Sequence, residues 1–409
     1  MVADTLRDEM VDRLVTWGAV TSARVEAAMR AVPRHVFVPE ASLEEAYASG
    51  VVVTHRDETG RPISCASAPG TVAEMLEQLD VRPGHRILEI GAGTGYNAAL
   101  LAELAGPQGR VTTVDIDAGI AEGARRGLAA AGYERVQVVH GDGAAGHAGN
   151  APYDRIIVTA GAWDVPPAWR EQLAPGGRLV VPLRVRGITR SVALELDGDV
   201  WRSVSIVVCG FIPMRGPSAM KERQVGLDAG GAVRLRVDDG QPVDAGALRA
   251  ALAGAPSLVW SGVVVPYASP EHLDFWLVGG TARVCLVIAQ EGAREAGLVE
   301  PIWRWGSAGC YTADGFAYLI RRGAGEEMIE LGACAYGPGA ERLAGAVADR
   351  IRAWHAARGE RASLRIEVHP AGSAGPPNAM ITADKTHSRV FVTTGGRRET
   401  PWLAPGEGS

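Results

Sequence analysis

The feature that most constrains this chain is an apolar segment that runs directly into a glycine-rich turn. Residues 86–97 read Arg-Ile-Leu-Glu-Ile-Gly-Ala-Gly-Thr-Gly-Tyr-Asn. A short strand followed by glycines that free the backbone to approach a ligand is typical of the first strand of a doubly wound α/β sheet that binds a nucleoside-bearing cofactor. The spacing is Gly-x-Gly-x-Gly, with Glu89 two residues before the first glycine, and it differs from the Gly-x-Gly-x-x-Gly of dinucleotide sites. A carboxylate there would repel a pyrophosphate and attract a cation.

Two later strand ends also carry carboxylates. Residues 111–115 form a candidate second strand that ends in Asp115, where an acid meets the ribose hydroxyls of a bound nucleoside. The candidate third strand, 136–140, is followed by Asp142, whose carboxylate would accept a hydrogen bond from an adenine amino group. The alternative for Asp142 is a loop residue that caps the next turn. S-adenosyl-L-methionine carries a sulfonium and an ammonium and no phosphate, so the acidic turn predicts this cofactor rather than NAD.

Composition and charge exclude several classes of protein. A chain of 409 residues with 47% hydrophobic and 22% charged residues is expected to form two soluble domains. The formal net charge of −6 argues against a nucleic-acid partner, and we interpret the arginines at 184, 186 and 190 as solvated faces. There is no apolar run of 18 residues and no signal-peptide pattern, which predicts a cytoplasmic protein without a membrane partner. The five cysteines are widely spaced, so we expect reduced thiols and no metal.

The pattern of apolar residues predicts an α/β fold, a doubly wound Rossmann-like domain with an additional C-terminal α+β domain. The acidic glycine turn makes the first of these a candidate S-adenosyl-L-methionine-dependent methyltransferase domain. Residues 1–50 are expected to be helical, with Ser22 as a helix cap. Short β-branched runs then alternate with alanine-rich helical stretches, which predicts a parallel sheet. An antiparallel hairpin is expected at 189–197 and 200–209. The predicted parallel strands are 86–90, 111–115, 136–140, 154–159 and 178–183.

The periodicity is interrupted at about residues 215–231, where we place a domain boundary. The predicted domains are a helical flank with the acceptor-site loop at 1–80, the methyltransferase core at 81–216, and the α+β domain at 230–400. Two helices are expected in the last of these, at 244–253 and 340–357. Its predicted strands are 233–237, 258–265, 273–278, 283–289, 316–321, 327–335, 364–369 and 389–394.

Several further motifs resemble those of the protein-L-isoaspartate O-methyltransferase family. They occur in order over about residues 10–215, and the Val-Pro-Arg-His-Val-Phe-Val-Pro run and the Ser-Ala-Pro step are more specific than the glycine turn. The matching segments are 32–39, 67–69, 88–96, 141–143, Tyr-Asp-Arg-Ile-Ile-Val-Thr-Ala at 153–160, and Phe-Ile-Pro at 211–213. The resemblance implies methyl transfer from S-adenosyl-L-methionine to a side-chain carboxylate of a peptide. Because a carboxylate is already ionised at neutral pH, this reaction needs no strong general base.

The resemblance also implies roles for individual residues. Ser67 would hold the acceptor carboxylate beside the methyl group, and its alternative is an ST-turn residue before Pro69. The chain has Cys65-Ala66-Ser67 where the family typically has Thr-Ile-Ser, and we expect Ser64 to replace the missing hydroxyl, so the catalytic pair would be Ser64 and Ser67. His55, Arg56 and Arg61 would join these serines in binding substrate, with a solvated loop as the alternative. The implied cofactor contacts are Ser67, Glu89, Gly91, Ala92, Gly93, Thr94, Gly95, Asn97, Asp115, Ile116, Asp142, Gly143 and Thr159.

The long C-terminal extension bears on the substrate. Extended relatives of this kind resemble methyltransferases that modify ribosomally made peptides, a subgroup to which the His-Leu-Asp-Phe-Trp-Leu segment at 272–277 is similar. The implied acceptor is an ordinary aspartate, whose ester cyclises to aspartimide. The extension would select the peptide through aromatic residues, and their alternative role is core packing. They are Trp260, Phe275, Trp276, Trp303 and Trp305. Two further interpretations remain, a broad isoaspartyl repair enzyme and a non-catalytic cofactor-binding module, and the oligomeric state is left open.

Overall fold

The protein is described by a computed structural model that covers residues 2–219, 222–238, 240–267, 272–281, 283–303, 305–357 and 364–394. The helices of these residues are α1 Val2–Thr16, α2 Ala23–Ala31, α3 Leu43–Tyr47, α4 Pro69–Leu79, α5 Tyr96–Ala105, α6 Ala118–Ala130, α7 Pro167–Glu171, α8 Ala245–Leu252, α9 Leu273–Val278, α10 Glu291–Glu295 and α11 Ala340–Ala357. The strands are β1 Val52–Arg56, β2 Pro62–Ala66, β3 Arg86–Ile90, β4 Arg110–Asp115, β5 Gln137–His140, β6 Tyr153–Val158, β7 Leu173–Val185, β8 Ile188–Asp197, β9 Val200–Val208, β10 Glu222–Gly226, β11 Val233–Asp238, β12 Ser257–Pro266, β13 Val284–Ala289, β14 Ser307–Tyr311, β15 Phe316–Gly323, β16 Met328–Tyr336, β17 Arg365–Pro370, β18 Ala379–Asp384 and β19 Ser388–Thr393.

A ten-stranded sheet forms the centre of the molecule. Its order is β18-β19-β17-β9-β8-β7-β6-β3-β4-β5, and the strands from β7 to β5 are parallel. The apolar side chains of β3 are buried because helices cover both faces of the sheet. The β8–β9 hairpin is antiparallel, as predicted around Gly198. The predicted doubly wound α/β fold is confirmed.

The N-terminal residues are helical, as expected. Met10 and Leu14 of α1 are buried, and the Ser22 hydroxyl accepts a hydrogen bond from the Val25 backbone N–H, which caps α2. Helix α4 begins at the Ser-Ala-Pro step and packs on the first sheet, so the acceptor motif is held between this helix and β2. None of the described helices is long and apolar enough to cross a membrane.

A second sheet of seven strands follows, in the order β10-β11-β13-β14-β15-β16-β12, and all its pairs are antiparallel. Helix α11 packs on one face of this sheet through Leu343, Val347, Ile351 and Trp354, four residues that share one side of the helix. Helix α8 covers the opposite face. Both helices occur where the sequence predicts them.

The structure corrects the sequence prediction at several elements. Residues 273–278 were predicted as a strand and instead form α9, in which Leu273, Phe275 and Leu277 are all buried. Five of these six residues are apolar, and so short a run does not reveal its period, so strand and helix cannot be distinguished from it. The sequence also gave no indication of β1, β2, β10, β14 and β18.

The arginines at 184 and 190 were interpreted as solvated, and this was wrong. Both side chains are buried, because partners distant in sequence neutralise them. Arg184 binds Glu222 at 2.7 Å and Asp238 at 3.1 Å, and Arg190 binds Asp274 at 2.5 Å. These ion pairs connect the first sheet to the segment that begins at β10.

The chain returns to the first sheet after α11. Strand β17 pairs with β9 through Glu367 opposite Arg202 and Val368 opposite Trp201, and β19 and β18 continue the sheet outward. The first sheet is therefore built from residues of both halves of the chain. The division into domains at 1–80, 81–216 and 230–400 stays a prediction, and residues 395–400 of the last range lie outside the described residues.

Candidate active site

The glycine-rich turn lies where parallel strands end side by side. Ile90, the last residue of β3, pairs with Val114 of β4 on one side and with Val158 of β6 on the other. Since the register aligns the carboxyl ends of these strands, Asp115 and Thr159 lie on either side of the turn. The carboxyl end of a parallel sheet is where doubly wound folds bind their ligands, so this edge is the candidate site.

The glycines of the turn adopt backbone conformations that other residues avoid. Gly91, Gly93 and Gly95 have φ values of +100°, +52° and +89°. At Gly91 a Cβ atom would lie 2.6 Å from Oγ1 of Thr159, the hydroxyl that donates to the Gly91 carbonyl over 2.6 Å. Gly95 is the N-cap residue of α5, and the Thr94 hydroxyl accepts a hydrogen bond from the Tyr96 N–H at 3.4 Å. The turn therefore presents bare backbone at the sheet edge, with the buried Ala92 beneath it.

Asp115 holds the turn from the side of β4. One carboxylate oxygen accepts the Gly93 N–H at 3.2 Å, and the other accepts the Asp117 N–H at 3.0 Å. The neighbouring Ile116 is half-buried and lies beside the loop at Gly216, where a Cβ atom would be 2.6 Å from Cδ1 of Ile116. Asp115 and Ile116 are thus in position at the cleft, and their contacts with a nucleoside stay predictions.

Glu89 lies below the turn, not at its surface. Its side chain is 0% exposed, Nδ2 of Asn97 donates to one oxygen over 2.7 Å, and Oγ1 of Thr113 donates to the other over 2.5 Å. Burial raises the pKa of Glu89 to about 7, the nearby Asp115 adds to the rise, and the two hydrogen bonds oppose it. Glu89 therefore ties β3 to β4 and α5, and the direct cofactor contact expected of Glu89 and Asn97 stays a prediction.

The wall beyond β5 and β6 brings further predicted residues to the cleft. Asp142 accepts the Ala144 N–H at 2.9 Å, the capping contact considered as its alternative role, and Gly143 is packed against the Ile90 side chain. The segment 211–216 lies along this wall, because the Gly161 N–H donates to the Ile212 carbonyl over 2.8 Å. The Phe-Ile-Pro motif thus completes one side of the site.

The acceptor motif lies against the glycine turn from the opposite direction. A Cβ atom on Gly93 would be 3.8 Å from the Cys65 carbonyl oxygen and 3.9 Å from Oγ of Ser64. Ser64 is buried in β2 and its hydroxyl accepts a hydrogen bond from Thr54 Oγ1 at 3.3 Å. Ser67 is half-buried at the start of α4. Of the two serines predicted to hold the acceptor, Ser64 therefore lies next to the predicted cofactor turn, and Ser67 follows it three residues later along the chain.

Arg34 belongs to the 32–39 motif, but its sequence context predicts no role for its side chain. Its side chain is 0% exposed, and it donates to the carbonyl oxygens of Ala46 at 2.8 Å and Ser67 at 2.8 Å. The guanidinium also lies over the Tyr96 ring at 5.0 Å, and burial lowers its pKa. Arg34 thus connects the acceptor motif to the helix that follows the glycine turn. Its place within the 32–39 motif was the only sequence signal.

The three basic residues predicted to bind substrate lie on the β1–β2 hairpin. His55 and Arg56 are exposed, with hydrogen bonds to Thr54 and to the Gly60 carbonyl of the same hairpin. The Arg61 side chain is also exposed, and its backbone N–H binds Asp57 at 2.9 Å. The structure does not bring these side chains into the cleft within the described residues, so their role in binding substrate stays a prediction.

The residues present fit a nucleoside that carries positive charge and no phosphate. Bare backbone lines the turn, a carboxylate lies at the end of each of two neighbouring strands, and the acceptor motif approaches the turn through the Ser64 hydroxyl and the Cys65 carbonyl. Among the described residues, no three His, Cys, Asp or Glu side chains converge as metal ligands do. Together with the doubly wound sheet, this arrangement is that of a class I methyltransferase that uses S-adenosyl-L-methionine.

The particular family follows from comparison with known sequences. The sequence model of the family described as protein-L-isoaspartate(D-aspartate) O-methyltransferase (PCMT) matches residues 5–216, just over half of the chain. The chain therefore belongs to the protein-L-isoaspartate O-methyltransferase family. It is a carboxyl O-methyltransferase rather than the non-catalytic binding module considered from its sequence.

Individual relatives match the same half of the chain. The protein-L-isoaspartate O-methyltransferase of Methanopyrus kandleri is 45% identical over 219 residues, which cover 53% of this chain and 94% of the relative. That of Methanoregula boonei is 42% identical over 210 residues, which cover 51% of this chain and 93% of the relative. These relatives are nearly fully spanned by the N-terminal half, and the second half has no counterpart in them.

A solved structure is similar over nearly the whole chain. It is titled protein-L-isoaspartate O-methyltransferase, and it superposes with a TM-score of 0.50 over 95% of this chain and 99% of its own, at 21% sequence identity. At this identity the likeness concerns the fold alone. It extends through the second sheet as well as the first.

Proposed function

We propose that the enzyme methylates an aspartate side-chain carboxylate of a ribosomally made precursor peptide, and that the ester then cyclises to an aspartimide. The observation that supports it most directly is the approach of Ser64 and Cys65 to the glycine turn, 3.9 Å and 3.8 Å from where a Gly93 Cβ would be. An acceptor motif this close to the glycine turn supports methyl transfer from a cofactor bound at that turn. The departure of Cys65-Ala66-Ser67 from the usual family triplet favours an acceptor other than the usual one.

S-adenosyl-L-methionine, when bound, supplies a methyl group on a positively charged sulfur. The residues of this chain then have two tasks, to orient the acceptor oxygen in line and to exclude water from it. Ser67 and Ser64 orient the carboxylate by hydrogen bonds, while Arg34 fixes the Ser67 backbone from behind. No residue needs to remove a proton, because the carboxylate is ionised at neutral pH.

The ester reacts further without the enzyme. The backbone nitrogen of the next residue attacks the ester carbonyl, loses its proton, and expels methanol, which closes the five-membered imide. Hydrolysis of the imide can give isoaspartate. Ring closure depends on the peptide geometry that brings nitrogen and ester carbon together.

The second half of the chain would select the peptide through an aromatic surface. Trp303 and Trp305 stack at 5.4 Å with 13° between their rings, and Tyr267 meets Trp303 edge-on at 5.6 Å. Trp305 is 61% exposed, and the Arg321 guanidinium lies over Tyr267 at 4.3 Å. Tryptophan, tyrosine and arginine side chains are enriched among the residues that dominate binding interfaces. Phe275 is buried in the core, Trp276 is half-buried there, and Trp260 lies under Arg322 at 4.3 Å.

The second candidate is an isoaspartyl repair methyltransferase acting on many proteins. Family membership favours it, and so does the solved structure of that title, because its fold covers this chain through the second sheet. The extension therefore does not by itself distinguish a tailoring enzyme from a repair enzyme. In either case the substrate is a protein or peptide that carries the acceptor carboxylate.

Matched peptides separate the two candidates. A precursor peptide with an ordinary aspartate and the same peptide with isoaspartate at that position are incubated with enzyme and S-adenosyl-L-methionine, and mass spectrometry follows methyl gain and then net loss of water. The proposal expects the aspartyl peptide to be the better acceptor. Preference for isoaspartate across unrelated peptides would establish repair instead. A Ser67→Ala variant that keeps cofactor binding serves as the control with reduced activity.

A further inference from the structure

A turn near the end of the described chain lies against the methyltransferase half. We call residues 385–388, between β18 and β19, the C-terminal turn, and residues 159–164, which follow β6, the post-β6 loop. The turn is closed by the Lys385 N–H, which donates to the Ser388 carbonyl over 2.8 Å. Two residues of the loop, Trp163 and Asp164, contact this turn directly. The contact joins segments more than 200 residues apart in sequence.

Asp164 anchors the C-terminal turn. One of its oxygens accepts the Ser388 hydroxyl at 2.5 Å and the other accepts the His387 N–H at 2.6 Å. Asp164 and Ser388 are both buried, so the hydrogen bonds are shielded from water. Hydrogen bonds to a buried carboxylate are among the stronger ones in proteins, because the charge has no solvent to satisfy it.

Lys385 contacts the loop from the same turn. Its ammonium lies 2.9 Å from the centre of the Trp163 ring and donates to the Arg184 carbonyl over 3.1 Å. The Arg184 N–H in turn donates to the Ala162 carbonyl over 2.9 Å. The Lys385 side chain therefore contacts the loop directly, at the Trp163 indole. It also contacts the loop indirectly, through Arg184, the β7 residue whose N–H binds the Ala162 carbonyl of the loop.

The loop so held lines the candidate active site. The loop begins at Thr159, whose hydroxyl donates a hydrogen bond to the carbonyl of Gly91 in the glycine turn over 2.6 Å. Two residues later, the Gly161 N–H donates to the Ile212 carbonyl, and the Gly161 carbonyl accepts the Met214 N–H. The loop therefore runs from the glycine turn to the C-terminal turn in six residues. A shift at Trp163 would move the wall of the cleft.

We propose that Lys385 is a positioning residue for methyl transfer: through Trp163 and the Arg184 carbonyl it holds the post-β6 loop in the geometry that the acceptor requires. The second half of the chain then contributes to the reaction as well as to substrate selection. This inference goes beyond the proposed function, because it holds for an aspartyl and for an isoaspartyl acceptor.

Three variants test the proposal in the full chain. Lys385→Met removes the charge and the hydrogen-bond donor, Lys385→Arg keeps both, and His387→Ala is the matched control because only the His387 backbone binds Asp164. Kinetic constants are measured with a synthetic aspartyl peptide and its isoaspartyl counterpart, and S-adenosylhomocysteine binding is measured by calorimetry. We expect Lys385→Met to lower kcat/KM for the better peptide by at least about tenfold, as small misplacements in a site do. Cofactor-product affinity should stay within about twofold. At about pH 6, where Lys385 is charged, the kinetic constants of the other two variants should resemble those of the wild type.

A pH profile separates positioning from general support of the fold. Burial lowers the pKa of Lys385 to about 7. The nearby carboxylates of Asp238 and Asp164 raise this pKa, whereas the positive charges of Arg184 and Arg186 lower it further. His387 is the other titratable side chain of the turn. As pH rises through about 7 the ammonium loses its charge, so wild-type kcat should fall, whereas Lys385→Arg should show no such fall from this residue. Groups elsewhere that titrate in this range affect both proteins equally.

Hydrogen exchange completes the test without any acceptor. Faster exchange at the Gly161 and Ala162 amides in Lys385→Met, with unchanged exchange in β3 and β4, is the expected result. This measurement tests the role of Lys385 even if neither peptide is methylated. A failure of both peptides to be methylated would count against the proposed function alone. The inference is overturned if exchange in the loop is unchanged, if Lys385→Met keeps kcat/KM within about twofold, or if Lys385→Arg retains the wild-type pH profile.

Discussion

Replacing Glu89 by glutamine should remove a large part of the pH dependence of stability. Glu89 is 0% exposed, and burial raises its pKa from an ordinary 4.5 to about 7 in the folded protein. Because the folded-state pKa lies above the unfolded-state value, the fold favours the neutral carboxyl. The resulting stabilisation is complete below about pH 4.5 and is lost as pH rises through about 7.

The size of the effect follows from the same two values. Between the two pKa values only the unfolded chain releases the proton, so the unfolding free energy falls by about 1.4 kcal/mol for each pH unit. From about pH 5.5 to about pH 8 the wild type should therefore lose about 2 kcal/mol of unfolding free energy through Glu89. A glutamine has no proton to release. It fills the same space, and its amide can accept from Asn97 and donate to the Thr113 hydroxyl.

Urea unfolding followed by circular dichroism at the two pH values measures this effect. The unfolding free energy of Glu89→Gln relative to wild type should rise by about 2 kcal/mol from the lower pH to the higher. Glu103→Gln is the control, because that carboxylate is exposed and binds the Tyr133 hydroxyl at 2.7 Å. A relative stability of Glu89→Gln that is constant within about 0.5 kcal/mol between the two pH values would refute the reasoning.

Three further changes test the site. Ser67→Ala should lower kcat/KM for the peptide by about 10- to 100-fold, as loss of a hydrogen bond to a charged group does, with S-adenosylhomocysteine affinity unchanged by calorimetry. Gly91→Ala should weaken that affinity at least about tenfold, because its φ is +100° and its Cβ would lie 2.6 Å from Thr159 Oγ1; Gly123→Ala in α6, whose Cβ meets only the end of a flexible arginine, should not. Arg34→Met removes the donor from the Ala46 and Ser67 carbonyls, so it should lower the unfolding free energy by about 1–3 kcal/mol and raise KM for the peptide. Equal KM values for the variant and the wild type would contradict the positioning role of Arg34.

The parts of the site that could be predicted from sequence are those encoded within a few residues. The glycine turn with its flanking strand follows from composition and period alone, and so does the place of Asp115 at the end of the next strand. Parallel neighbours in a doubly wound sheet then bring such residues to one edge. The acceptor motif at Ser67 needed a family resemblance, because a Ser-x-Pro step by itself fits many turns.

The remaining features depend on partners far away in sequence. Whether Arg184 and Arg190 are solvated or buried is decided by Glu222, Asp238 and Asp274, and no local pattern around the arginines reveals those partners. The bonds of Asp164 to the C-terminal turn are of the same kind. Glu89 shows a further limit of sequence-based prediction. Its position before the glycine turn could be predicted, but its burial depends on hydrogen bonds from Asn97 of α5 and Thr113 of β4.

The pairing of β17 with β9 has a consequence for biosynthesis. The Arg202–Glu367 ion pair joins residues 165 positions apart, so the catalytic sheet of a nascent chain keeps an open edge at β9 until β17 to β19 have left the ribosome. Contacts of such long range form late, and an unpaired strand edge invites intermolecular pairing in the meantime. Premature termination anywhere between β10 and β17 would accordingly leave β9 as an exposed edge of the first sheet, and we expect such products to aggregate.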